Sequence, residues 1–373
     1  VVFDIKEWRV LREKLIWLMD DQGYDGVALN AGPSLTYLTG LHFHLMERPV
    51  VIVFHRTAPP TIILPELEKA KLDNLQFDAR VFAYKEDPDS WEGVFKEALH
   101  DLPFEGGRIG VEPRQLRFLE YDLLKKAVPA GDWQDGSSLI AELRSIKGVD
   151  EIASMTKAVH IAENALEATL PIIGEGVEER EIAAELFLQL IKHGSQSDLP
   201  FAPIVAAGPN SANPHSTPSE RKLQSGDLLI VDWGARYNGY ASDLTRTFGV
   251  GELDETAKEI HHLVRMANRA GRQAGCVGSS CGAIDKAART VIEAGGYGEF
   301  FIHRTGHGIG LECHEEPYIR GDNEQTLIAG MTFTVEPGIY LKGNNGVRIE
   351  DDVLITDKGA VSLSTMTREL RYL

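Results

Sequence analysis

Cysteine is scarce in this chain of 373 residues: Cys276, Cys281 and Cys313 are an odd number, too sparse for a disulfide framework and wrongly spaced for a structural zinc site. Positive charge is short too. Thirty-eight Lys and Arg stand against 56 Asp and Glu, a formal charge of -18 that repels phosphate backbones and anionic lipid surfaces. Nucleic acid and membrane are therefore not expected as partners. No run of about 18 apolar residues occurs, and Val1 to Asp4 show no basic segment leading into an apolar stretch. The expectation is a cytoplasmic protein. Short tandem repeats and low-complexity tracts are also missing. With 43% hydrophobic and 25% charged residues, what remains is an ordinary globular composition. Its length exceeds a single core of about 250 to 300 residues, so two domains are expected.

The first helix opens with Asp4 and Glu7 as a capping-box-like pair, continues with Ile5, Trp8, Leu11, Leu15 and Leu18 at helical spacing, and stops at Gly23. Short apolar runs follow at Gly26 to Leu29, Val50 to Phe54, Thr61 to Leu64, Val81 to Tyr84 and Arg108 to Val111. Alternating with polar or helical stretches, they predict a smaller α/β domain over residues 1–141. Around LRSIKGVDE the pattern turns charged and enters a helix from Asp150 to Leu170, so a second domain is placed at 142–373. Helix patterns recur there at Glu178 to Lys192, Glu255 to Gln273 and Ala283 to Ala294, interleaved with strands. The fold class is α+β.

Nearly all the distinctive polar residues sit in those later strands. LLIVDWGARYNGYASDLTRTF reads as a hairpin about Asn238-Gly239, the dipeptide most favoured in a two-residue turn. In that register Asp232 opposes Thr245 and Gly234 opposes Asp243, which puts the two aspartates on one face. Carboxylates beside a turn are commonly just solvated. Held together on one face, they call for a positive charge between them, which a metal supplies.

FIHRTGHGIGLECHEEP places His303, His307 and His314 within twelve residues, with glycines flanking the middle one. So many glycines argue against a helical zinc-protease motif and for backbone packed closely on a neighbour. A single histidine is more often a hydrogen-bonded structural residue than a ligand; three together leave both readings open. Glu336 in MTFTVEPGIYL and Glu350 in GVRIEDDVLI then lie inside apolar runs, where an unpaired charge costs several kcal/mol or more to bury. Arg348 offers Glu350 a structural partner, and nothing equally near in sequence serves Glu336. Four carboxylates and an imidazole form an oxygen-rich set suited to two divalent ions about 3.5 to 4 Å apart.

In their order, Asp232, Asp243, His307, Glu336 and Glu350 resemble the five metal ligands of the pita-bread metallopeptidases (M24), and the likeness runs from Arg144–Lys147 to GVRIEDD. That family includes methionine aminopeptidase, aminopeptidase P, prolidase and the metal-free creatinase. The long N-terminal part, the histidines of HRTGHGIG and the PNSANPH segment ending at His215 are similar to its proline-directed branch. The resemblance implies a creatinase-like α/β N-terminal domain before a pita-bread catalytic domain, a homodimer, and hydrolysis of Xaa-Pro bonds in short peptides. It implies two divalent cations, with manganese favoured over cobalt or zinc. By the same resemblance Asp243 and Glu350 bridge the ions, Asp232 holds one, and His307 with Glu336 completes the other.

Glu336 then moves the proton, His314 stabilises the oxyanion, and His215 and His303 line the substrate pocket. Arg348 belongs with the substrate-binding residues and orients Glu350. Where some dipeptidases carry a carboxylate-binding arginine, HEEPYIR has Tyr318, and Arg320 is the nearest basic residue. Arg320, two positions on and so on the same face of an extended segment, offers a substitute anchor, and HRTGHGIG followed by HEEP resembles compact bacterial dipeptidases, so Xaa-Pro dipeptidase is the first reading. Xaa-Pro aminopeptidase acting on longer peptides is the second, and a non-enzymatic binding module or an amidase for non-peptide substrates stands behind both.

Overall fold

The computed structural model describes residues 5–104 and 106–373; Val1 to Asp4 and the Glu7 side chain, and with them the expected capping pair, lie outside the described residues. Two compact units divide the chain, Val1–Arg144 and Ser145–Leu373.

In the first unit the strands are β1 (Gly26–Asn30), β2 (Val51–His55), β3 (Thr61–Pro65), β4 (Arg80–Tyr84), β5 (Arg108–Val111) and β6 (Asp132–Asp135), and the helices are α1 (Ile5–Gln22), α2 (Pro33–Thr39), α3 (Trp91–Leu99), α4 (Phe118–Ala127) and α5 (Ser137–Ser145). The strands form one sheet in the order β4-β3-β2-β1-β5-β6. Its central strands read as unbroken apolar runs because both faces are covered. Val27, Leu29, Ile52 and Ile62 pack with Leu15, Leu18, Leu35, Leu139 and Leu143 from α1, α2 and α5. Ala28, Val51, Val53 and Ile63 turn the other way, toward Phe95, Leu99, Leu123 and Leu124 of α3 and α4. Strand β6 escaped the sequence reading, since DWQD at the sheet edge is exposed or half-buried and carries no apolar alternation.

The second unit begins with α6 (Val149–Thr169) and α7 (Glu179–Lys192), then β7 (Ile204–Ala207), β8 (Leu228–Trp233), β9 (Arg236–Tyr237), β10 (Tyr240–Ala241) and β11 (Leu244–Gly249). Next come α8 (Glu255–Ala274) and α9 (Cys281–Ala294), followed by β12 (Gly306–Gly308), β13 (Glu315–Ile319), β14 (Thr332–Val335), β15 (Gly338–Tyr340), β16 (Gly346–Arg348), β17 (Asp351–Thr356), β18 (Gly359–Ser362) and β19 (Arg371–Tyr372). Two sheets dominate, ordered β19-β11-β8-β7 and β13-β12-β14-β17-β18. Helices α8 and α9 pack through Ile260, Val264, Ala288 and Ile292 against Ile339 and Val347 of the separate two-stranded β15-β16 sheet and against Ile349 just beyond it. Cys281 and Ile284 meet Phe333, Val335 and Val353 in a second cluster. An isolated bridge between Thr245 and Glu350 joins the two sheets. Among the described residues no helix is long and apolar enough to cross a membrane.

Candidate metal centre

The Asn238-Gly239 turn has φ of 49° and 83°, both left-handed, which fits the mirror-image turn that suits a twisted hairpin. The register pairs Tyr237 with Tyr240 and Asp232 with Thr245. Ladder pairing pauses between these stretches, where a Cβ on Gly234 would run into the Ser242 carbonyl. Only glycine fits there, and Asp232 and Asp243 are left buried at the inner end of the hairpin.

His307 sits at the centre of β12, between two glycines whose Cβ atoms would collide with the backbones of Thr334 and Glu316. That close packing between β13 and β14 sends the imidazole toward the hairpin, with Nε2 3.7 Å from Asp243 Oδ2 and 3.4 Å from Glu336 Oε1. Its Nδ1 faces the Gly308 carbonyl oxygen at 3.1 Å. Burial holds the His307 pKa well below its ordinary value, so the ring is neutral, and a proton donated from Nδ1 leaves the Nε2 lone pair aimed at two carboxylates. Lone pair against anion is repulsive unless a cation or a shared proton lies between.

Glu336 is placed by its backbone N–H, which donates to Thr305 O at 2.8 Å, and Glu350 by its own, which donates to Thr245 O at 3.1 Å. One donor atom each from Asp243, His307 and Glu350 lie within 4.8 Å of one another. Asp232 Oδ1 is buried and without a hydrogen-bond partner.

Burial raises the pKa of all four carboxylates, and their mutual repulsion adds to it at Asp243, Glu336 and Glu350. Glu336 is pushed to about 7. Among these side chains Arg348 is the one buried cation, and its Nη2 donates to Asp232 Oδ2 at 2.6 Å. One guanidinium cannot balance four carboxylates. Two divalent cations can, so the donor set, the unpartnered oxygen and the lone pair all fit such a pair.

Arg348 is not the direct structural partner of Glu350 that their spacing allows, and meets it through an intermediary. Its Nε donates to Thr245 Oγ1 at 3.3 Å, and Thr245 in turn donates to Glu350 Oε2 at 2.7 Å. Arg348 Nη1 donates to the Tyr340 hydroxyl at 2.9 Å, which is also 2.9 Å from His303 Nε2. His303 Nδ1 faces its neighbour's carbonyl at 2.7 Å, so both its nitrogens are engaged within the protein. Burial lowers its pKa to about 4, leaving a neutral ring as the end of this chain of contacts.

His314 is exposed, with its ring 4.0 Å from that of His307. His215 is exposed as well, near enough for its charge to act on Asp232 and His314. Both lie on the open side of the cluster. Tyr318 is on β13, whereas Arg320 is exposed and paired with Asp322 at 2.9 Å.

The sequence reading missed Thr245, Tyr340, Cys313, Asp351 and Asp352. Thr245 was within reach, since it faces Asp232 in the expected register. The others give no local signal. Cys313 Sγ donates to Asp243 Oδ2 at 3.0 Å, and the Asp243 N–H donates to Asp352 Oδ2 at 3.1 Å. Asp351 is held by Arg246 at 2.9 Å and Arg368 at 2.7 Å; these cations lower its pKa to about 2 despite burial. Asn268 Nδ2 donates to Asp351 Oδ2, Val335 O and Ile349 O at 3.0, 2.9 and 3.3 Å, tying together the segments that carry Glu336 and Glu350.

Residues 153–357 match metallopeptidase family M24, and residues 12–146 match the creatinase/prolidase N-terminal domain. The chain is 33% identical over 358 residues to an Xaa-Pro dipeptidase of Lactobacillus delbrueckii subsp. lactis, covering 96% of this chain and 97% of that protein. It is 35% identical over 358 residues to an Xaa-Pro dipeptidase of Pyrococcus furiosus, covering 96% and 98%. A recombinant prolidase from Thermococcus sibiricus superposes with a TM-score of 0.91 at 36% identity, over the whole of both chains.

Proposed function

The chain belongs to metallopeptidase family M24, with a creatinase/prolidase N-terminal domain ahead of a pita-bread catalytic domain, and from that premise we propose that it hydrolyses the Xaa-Pro bond of dipeptides. Family M24 enzymes depend on a pair of metal ions, and this chain's residues suit such a pair. The carrying observation is the His307 Nε2 facing the carboxylates of Asp243 and Glu336 at 3.7 and 3.4 Å, in a site where Asp232 Oδ1 is also buried without a partner.

We assign Asp232, Asp243, His307, Glu336 and Glu350 to hold two divalent cations, which when bound lower the pKa of water toward neutrality and polarise the scissile carbonyl. Asp243 and Glu350, whose oxygens lie with a His307 nitrogen within 4.8 Å of one another, would be the carboxylates held in common by the two cations. Glu336 takes the proton from the attacking water and passes it to the proline nitrogen, a transfer suited to a carboxylate whose proton affinity its surroundings set. His314, on the open side, donates to the developing oxyanion. His215 borders the same opening and lines the substrate. His303, with both nitrogens engaged, acts through Tyr340 and Arg348 to hold Asp232 and, by way of Thr245, Glu350.

The oxygen-rich donors favour manganese among manganese, cobalt and zinc. A homodimer in the cytoplasm completes the proposal; the three free cysteines suit a reducing compartment. The test is a cleavage panel of Xaa-Pro dipeptides, Xaa-Pro-Xaa tripeptides and dipeptides without proline, each with manganese, cobalt and zinc and after chelation. Dipeptides cleaved only when proline follows the bond, and only with metal, support the reading. A second reading, an aminopeptidase for longer peptides, is favoured by Tyr318 standing where an arginine was expected, and tripeptides cleaved faster than dipeptides would establish it.

A further inference from the structure

Arg304 is conspicuous for what it lacks. In a chain of net charge -18, its guanidinium makes no hydrogen bond or ion pair among the described residues. Surface arginines here commonly find acids: Arg320 has Asp322 at 2.9 Å, and Arg371 has Glu167 at 3.0 Å. Arg304 instead rests on an aromatic ring, its central carbon 4.3 Å from the centroid of Tyr318. The placement is built. Thr305 N–H donates to Ile319 O at 3.0 Å, fixing the approach of β12 to β13 and so Arg304 beside Tyr318. Tyr318 is set in turn by its carbonyl, which accepts from Asn323 Nδ2 at 2.6 Å. A guanidinium held over a ring loses little further freedom on binding, and the N–H donors at its edge remain free for a planar bidentate acceptor. It is also close to the reacting groups. Arg304 precedes His307 by three residues, and its charge is felt at Glu336, His307 and His314.

Building on the dipeptidase reading, we propose that Arg304, supported on Tyr318, receives the free carboxylate of the substrate's proline. The chain thus keeps an arginine for that task although position 318 holds tyrosine, with the cation supplied from the segment that leads into β12. A substrate whose proline carboxylate is amidated, or extended by another residue, presents no anion there and loses the contact. Selection for dipeptides follows from this one pairing, and Arg320, committed to Asp322, takes no part in it.

The experiment compares wild type, Arg304→Gln, Arg304→Lys and Arg320→Ala, all manganese-loaded, on Leu-Pro and on Leu-Pro amide. Losing a charge-assisted pair should raise the Arg304→Gln KM for Leu-Pro by about 10- to 100-fold. Its KM for the amide should stay within about twofold, since uniform binding lost at the carboxylate does not touch the neutral substrate. Arg304→Lys, charged but without the fork, should fall between. Equal losses on acid and amide, or a selective loss in Arg320→Ala alone, would overturn the assignment. Calorimetry with the product proline and with prolinamide separates this inference from the function it rests on. If no Xaa-Pro peptide is cleaved with any metal, the dipeptidase reading fails. The assignment of Arg304 as a carboxylate receptor still stands if wild type binds proline over prolinamide and Arg304→Gln does not, and falls if both proteins bind proline alike.

Discussion

Replacing Arg348 by methionine isolates the electrostatic reading of the centre. Methionine keeps an unbranched apolar stem but removes the charge and three side-chain hydrogen bonds, to Asp232 Oδ2 at 2.6 Å, Tyr340 OH at 2.9 Å and Thr245 Oγ1 at 3.3 Å. In metal-free protein Asp232 is then left buried with Oδ1 already unpartnered and its cationic partner gone. Breaking a buried pair from one side costs about 3 to 5 kcal/mol. With manganese bound, the missing positive charge is partly replaced, so the loss should shrink to about 1 to 2 kcal/mol.

Linkage makes the two figures testable against each other. A variant destabilised less when loaded than when empty must bind metal more tightly than wild type, and a difference of about 2 kcal/mol corresponds to about 30-fold in affinity. Calorimetric unfolding of both proteins, with chelator and with saturating manganese, gives the first quantity. Titration calorimetry gives the second. With two compact units a single two-state transition is not assumed, so the transition of the second unit is followed by itself. A loss that is the same with and without metal, or below about 1 kcal/mol in chelator, would refute the claim that Arg348 stands in a charge balance with the cations.

If His314 donates to the oxyanion without holding a cation, His314→Ala should lower kcat by about 100- to 1,000-fold while metal content stays unchanged; a halved metal stoichiometry by elemental analysis would make it a ligand instead. Asp243→Ala should abolish both activity and metal binding with the fold retained by circular dichroism, and full activity at saturating manganese would end the two-metal assignment. The Glu336 pKa, raised from 4.5 to about 7 chiefly by burial, gives a signed pH effect in metal-free protein. Stability from the protonated carboxyl is fully present below its unfolded pKa and is lost as pH rises through about 7. Wild type should therefore lose up to about 3 kcal/mol relative to Glu336→Gln between pH 5 and pH 8, histidine contributions being common to both proteins. A wild-type-minus-variant difference that stays flat across that range in urea unfolding would contradict the burial reading.

Much of this protein was legible in local pattern. The Asn-Gly turn set the hairpin register, because left-handed backbone is cheap only for such residues, and the register alone put Asp232 opposite Thr245. Glycines around His307 excluded a helix, and glutamates inside apolar runs announced a charge in need of compensation, although the structure sets Glu336 and Glu350 just beyond strand ends. Strand β6 was illegible because an edge strand with little buried surface needs no hydrophobic alternation. Partnership among distant residues was decided only by the tertiary structure. Arg348 looked like the partner of its near neighbour Glu350, yet strand β16 turns its guanidinium to Asp232, 116 positions away, and leaves Glu350 to Thr245. Arg320 looked like a carboxylate anchor and its ion pair with Asp322 showed only in the structure, while Arg304 gave no sign in sequence of being uncommitted. Sequence spacing determines which way a side chain leaves its own strand, since that depends on local backbone alternation. Which charge it meets depends on how two sheets joined at Thr245 and Glu350 come together, a long-range packing outcome that no single segment encodes.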